Sequence, residues 1–93
     1  VTVELVFSTD AAPKVRERRL PGTQRMDLLS DQRLKVTLQV GDWMEVLPWI
    51  RSWGADVEVL EPEPLREEVA RDAVRTGALY GVRLRSQKTG YSV

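Results

Sequence analysis

Five cations are spaced to meet phosphate: Lys14, Arg16, Arg18 and Arg19 fall within one short segment, and Arg25 follows on the next. Guanidinium forks and ammonium groups bind phosphate oxygens through charge-assisted hydrogen bonds, so phosphate is the group they suit. All five can act together only if the first helix and the second strand share a surface. The competing reading is a solvated basic face that neutralises acids elsewhere in the fold.

Nothing comparable supports catalysis. The chain has no His and no Cys, which removes the usual general base, the thiol nucleophile, disulfides and zinc-thiolate sites. Asp, Glu, Lys, Ser and Tyr remain, with no Gly-rich phosphate loop, paired-acid motif or nucleophile elbow among them. We therefore expect no enzyme, no cofactor and no metal. Glu61, Glu63, Glu67 and Glu68 cluster, but oxygen ligands alone at this spacing make no metal site and read as solvated acids. A buried carboxyl with a strongly raised pKa would reopen a carboxylate-dependent enzyme.

Three tryptophans are the other conspicuous feature. Trp43 and Trp53 fall on one apolar helical stripe and should be core. Trp49 sits at its edge, where an aromatic can cap a pocket or a protein contact.

The elements that must position these groups fit in one domain, since 93 residues and 10.6 kDa are too little for two. Fourteen basic and fourteen acidic residues cancel, but unevenly. The balance is +4 over residues 13–35, −6 over 36–72 and +4 from 73 onward. No membrane-length apolar run and no signal segment appears, so a soluble cytoplasmic domain is expected. The chain opens on Val1 rather than Met, which suggests a piece of a longer protein.

Alternation at period two marks strands over residues 1–7, 33–40 and 56–60, with a weaker strand over 23–30 and a turn at Asp31 and Gln32. Ser8 offers a cap for a helix over residues 9–20, in which Pro13 falls about one turn in. Asp42 and Glu45 fit a capping box for a helix ending at Gly54, with a kink at Pro48. Pro62 and Pro64 open a third helix over residues 65–80. Leu65, Val69, Ala73, Thr76 and Tyr80 share its narrow face, and Glu67 and Arg71 form an i,i+4 pair. The order predicts an α+β fold: a ferredoxin-like βαββαβ sandwich with an additional C-terminal helix. That helix must dock on an edge, on the open sheet face or on a second copy. Domain 1–80 would be followed by a basic tail over 81–93, mobile or adding a short edge strand.

These residues also resemble a known family. Val3, Glu4, Leu5, Val6, Phe7 and Ser8, then Val15, Arg16, Glu17 and Arg18, resemble the opening of the C-terminal extension (WCX) module of WYL-domain bacterial transcription regulators. The resemblance continues through residues 34–40, Gly41, Asp42, Trp49, Ile50, Trp53 and Gly54. It ends in residues 57–62, residues 65–69, Ala78, Leu79 and Tyr80. It implies a module that follows a winged helix-turn-helix and a WYL domain, takes part in dimerisation and relays an effector that is a nucleotide or nucleic acid. Arg16 and Arg18 match basic family positions, and Trp49 a recurrent tryptophan. Gln32 stands where relatives often carry Gly.

The expected site is therefore Lys14, Arg16, Arg18, Arg19 and Arg25 for the effector. Trp49, Leu65, Val69 and Tyr80 are expected at a protein interface, with a second copy or the regulator's own WYL domain as partner and no membrane. The alternative is a stand-alone small-ligand sensor.

Overall fold

A computed structural model describes residues 1–82 of the chain. The elements run β1 (Thr2–Phe7), α1 (Ala12–Glu17), β2 (Thr23–Leu28), β3 (Leu34–Gln39), α2 (Leu47–Trp53), β4 (Val57–Glu61) and α3 (Glu63–Leu79), with a 3-10 turn over Trp43–Val46 leading into α2. The expected tail, apart from Gly81 and Val82, lies outside the described residues.

The alternation in β1 and β3 does what a half-buried strand requires: Val3, Leu5, Phe7, Leu34, Val36 and Leu38 are all at most 1% exposed. They point to one face, where Ala11, Ala12 and Val15 of the first helical region, Val46, Leu47 and Ile50 of the second, and Leu65 of the third complete the core. The fold is α+β, a four-stranded sheet ordered β2-β3-β1-β4 with every neighbouring pair antiparallel. Two bulges interrupt the ladders, one at Gln24 in β2 and one at Leu60 in β4.

α1 is shorter than expected at both ends. Ser8 caps a preceding turn, its Oγ accepting from the Ala11 N–H at 3.2 Å. The helix then begins at Ala12, which places Pro13 in the first turn, where a missing N–H costs nothing. At the other end Arg18 leaves helical geometry, and Leu20 turns back against the core ahead of Pro21 and Gly22. Gly22 has φ +90°, and a Cβ there would lie 2.7 Å from the Gln39 carbonyl oxygen, so the close approach of this turn to β3 requires glycine.

The second helical region starts as expected at Asp42, but without the reciprocal box. The Asp42 carboxylate accepts from the Met44 N–H at 2.9 Å, and the chain runs through a 3-10 turn before α2. The expected kink is this junction, because Pro48 falls in the first turn of α2.

α3 docks beside β4 and against α2, and so covers one edge of the sheet. Leu65 is fully buried and Val69 half-buried, while Arg66 donates from Nη1 to the Val59 carbonyl on β4 at 2.8 Å. Beyond Val69 the helix leaves the core, and Ala73, Thr76 and Tyr80 are exposed. It ends in a Schellman turn: Val82 N–H bonds the Gly77 carbonyl and Gly81 N–H the Ala78 carbonyl, with Gly81 at φ +78°. Arg71 pairs with Glu68 at 2.8 Å, one residue nearer than the expected Glu67.

Candidate functional site

Four of the five expected cations come together, and the fifth does not. Lys14 and Arg16 occupy the last turn of α1, Arg18 is its C-terminal cap, and Arg19 follows on the exit loop. All four are exposed. The Arg18 N–H bonds the Lys14 and Val15 carbonyls, and Arg19 Nη2 donates to the Thr23 carbonyl at 3.3 Å, so the loop holds its shape through backbone contacts. A helix C-terminus carries partial negative charge that favours cations, which explains locally why basic residues are tolerated there in a row.

Among the described residues these four are the cations that make no ion pair. Arg25, Arg33, Lys35, Arg51, Arg66, Arg71 and Arg75 each meet a carboxylate within 4.0 Å. The Arg33 backbone N–H and guanidinium lower the pKa of Asp31, and the hydrogen bond from Arg51 lowers that of Asp72. Among the described residues, positive charge elsewhere is thus answered internally, while that at residues 14–19 is left for solvent or a ligand.

Arg25 does not join this group. It stands opposite Thr37 in the β2–β3 ladder, out of phase with the core residues Val36 and Leu38, and so lies on the sheet face away from α1. There it pairs with Asp27 at 3.2 Å. The condition that helix and strand share a surface is not met. The same open face carries Thr2, Glu4, Val6, Lys35, Thr37 and Gln39 on the two central strands, and Lys35 meets Glu4 at 3.5 Å. It presents no aromatic among the described residues, so it offers no platform for stacking bases.

The expected protein-contact residues also divide. Leu65 is 0% exposed and belongs to the core, so it is removed from the surface set. Val69 is half-buried beside it, and Tyr80 is 81% exposed at the end of α3. Trp49 is half-buried and lies edge-on to Phe7 at 5.5 Å between ring centroids, while Trp53 approaches the same ring at 5.6 Å and Trp49 at 6.2 Å. Trp49 therefore helps close the core over Phe7 as well as reaching the surface. Trp43 and Trp53 are half-buried rather than fully enclosed. Sequence reasoning missed Met44, Val74 and Leu79, which are exposed apolar side chains. For Val74 and Leu79 the signal available was the near absence of charge over residues 73–82.

A shallow depression of about 150 Å³ lies at the end of β1 and β4, lined by Val6, Ser8, Arg33, Asp56 and Glu58 among others. Ser8 Oγ donates to Asp56 Oδ1 across it at 2.9 Å. It is smaller than the ~300–1,000 Å³ typical of small-molecule sites. Among the described residues no group of three or more acidic side chains is arranged to hold a metal ion, and no helix is long and apolar enough to cross a membrane.

Comparison with known proteins gives one result. The family model described as the WCX domain matches residues 1–77. No curated protein matches the chain.

Proposed function

The chain belongs to the WCX domain family, and from that premise we propose that it is the regulatory and oligomerisation module at the C-terminus of a WYL-type bacterial transcription regulator. The β2-β3-β1-β4 strand order with two crossover helices on one face supports reading it as ferredoxin-like with an added C-terminal helix. It works in the cytoplasm, where its DNA-binding domain meets the operator, and it performs no catalysis. Its task is to help pair the regulator and to pass effector occupancy to that domain. Such a relay is a population shift, which requires the effector to contact the two arrangements unequally.

The effector is a nucleotide or a single-stranded nucleic acid, contacted here by Lys14, Arg16, Arg18 and Arg19. The observation that carries this reading is that these four exposed cations alone, among those described, lack a carboxylate partner. The protein contact, with a second copy or the WYL domain, draws on Trp49 and on the uncovered second half of α3 with Val69 and Tyr80. The small-ligand sensor is the weaker reading, because the depression at the end of β1 and β4 is shallow and small.

The test is co-elution of the chain with a labelled single-stranded oligonucleotide at two salt concentrations. Salt-sensitive binding that disappears in the Arg16→Ala, Arg18→Ala double variant is the expected result. Binding that survives the double variant, or no binding at low salt, would remove the effector role from this surface.

A further inference from the structure

The sheet has two edges, and they are finished differently. On β4 the outward Val59 carbonyl is taken by Arg66, and α3 lies alongside. On β2 nothing among the described residues plays that part. The Leu29 N–H bonds the Arg33 carbonyl at 2.8 Å, so by the alternation of an antiparallel ladder Asp27 and Arg25 exchange bonds with Lys35 and Thr37. The N–H and C=O groups of Met26 and Leu28 then point off the free edge. Leu28, opposite the core residue Leu34, is 50% exposed, with no neighbouring strand over it among the described residues.

We propose that this edge pairs with the β2 edge of a second copy, antiparallel about a two-fold axis through Met26, to give one continuous eight-stranded sheet. The occupant is fixed by charge. Arg25 and Asp27 flank Met26 with opposite signs on one face, at present bonded to each other at 3.2 Å and both exposed. A two-fold axis through Met26 sets Arg25 opposite the partner's Asp27 and Asp27 opposite the partner's Arg25, so both cross-strand pairs are attractive. Met26 exchanges two backbone bonds with its own symmetry mate, and Leu28 gains cover on the core face. Edges that only repel neighbours carry charge of one sign or proline; this one is complementary to itself. The inference rests on the reading of the chain as a self-associating module and adds the surface that reading lacks.

Light scattering after size exclusion, over a concentration series of the full chain, tests it. The wild-type chain is expected to reach twice its 10.6 kDa mass. Arg25→Asp and Asp27→Arg variants each place like charges opposite one another twice and should stay monomeric. Mixed in equal amounts they restore both attractive pairs and should form the mixed dimer. Met26→Pro removes an outward N–H and no bond of the ladder within the chain, so it should abolish the dimer with the circular dichroism unchanged. A dimer that persists in both charge variants belongs to another surface, such as the end of α3; it overturns this pairing and leaves the module reading intact. A wild-type chain that stays monomeric overturns the pairing and self-association together, whereas a mixture that does not associate while the wild-type chain dimerises overturns this pairing alone.

Discussion

Arg51 donates from Nε to Asp72 Oδ2 at 2.7 Å, and this bond joins α2 to α3 across twenty-one positions of sequence. Arg75 adds a contact to Asp72 Oδ1 at 3.2 Å, and Arg51 reaches Glu68 at 4.0 Å. The long helix is therefore held in place by one buried leucine, one half-buried valine, the Arg66 bond to Val59 and this polar seam.

The seam sets an acid sensitivity. The hydrogen bond from Arg51 holds the Asp72 carboxyl below its ordinary value of 3.8, and Arg33 does the same for Asp31. A carboxylate whose folded pKa is lowered stabilises the fold fully at neutral pH, and the contribution is lost as pH falls from about 4 through the folded value. Urea unfolding followed from pH 6 to pH 2 should show stability falling below pH 4, and Asp72→Asn should flatten that fall. An Asp72→Asn profile parallel to wild type would contradict this account of the seam.

Burial separates two residues that share one helical face. Leu65→Ala should cost about 2–5 kcal/mol, because it opens a cavity at a fully enclosed position. Tyr80→Ala, at an exposed position, should change stability by less than about 0.5 kcal/mol. Chemical denaturation of both variants measures the difference directly.

The hairpin between β2 and β3 holds Gln32 at φ +73°, a left-handed conformation that side chains disfavour. Gln32→Gly should relieve that cost and raise stability by up to about 1 kcal/mol, after allowing for the extra freedom glycine has when unfolded. A lower thermal midpoint for this variant would mean that the Gln32 side chain contributes more than its backbone costs.

The division of the cations predicts unequal effects on binding. Removing Arg16 or Arg18 singly should lower the slope of log affinity against log salt for single-stranded DNA by about 0.7, the share of one phosphate contact. Arg25→Ala should leave that slope unchanged, because Arg25 stands on the other face of the sheet. Equal losses from the two surfaces would mean that the nucleic acid wraps around the edge of the domain.

The exchange at the centre of the sheet was legible from spacing. Leu34, Val36 and Leu38 alternate with Lys35, Thr37 and Gln39, and a strand has only two faces, so the apolar set had to be the core. The apolar helical stripe that carries Trp43 and Trp53 was legible for the same reason at helical period, and it buries Val46, Leu47 and Ile50. Local chemistry also marked Asp42 as a cap. It misjudged the ends of α1, because the preference of Pro13 for a first turn and the return of Leu20 to the core compete with a plausible cap at Ser8.

Sequence by itself thus determined the strands, the central helix, the family and the cluster of cations at residues 14–19, all of which follow from periods and neighbours within a few residues. Tertiary structure alone decided that Arg25 faces away from that cluster, that Leu65 is core rather than surface, and that among the described residues one sheet edge is covered while the other is open. The reason is that register and docking are set by partners far apart in the chain. Arg25 is placed by its ladder with Thr37 and the bulge at Gln24, and α3 is placed by Arg66 on Val59 and Arg51 on Asp72. No period within one segment encodes which of those distant groups it will meet.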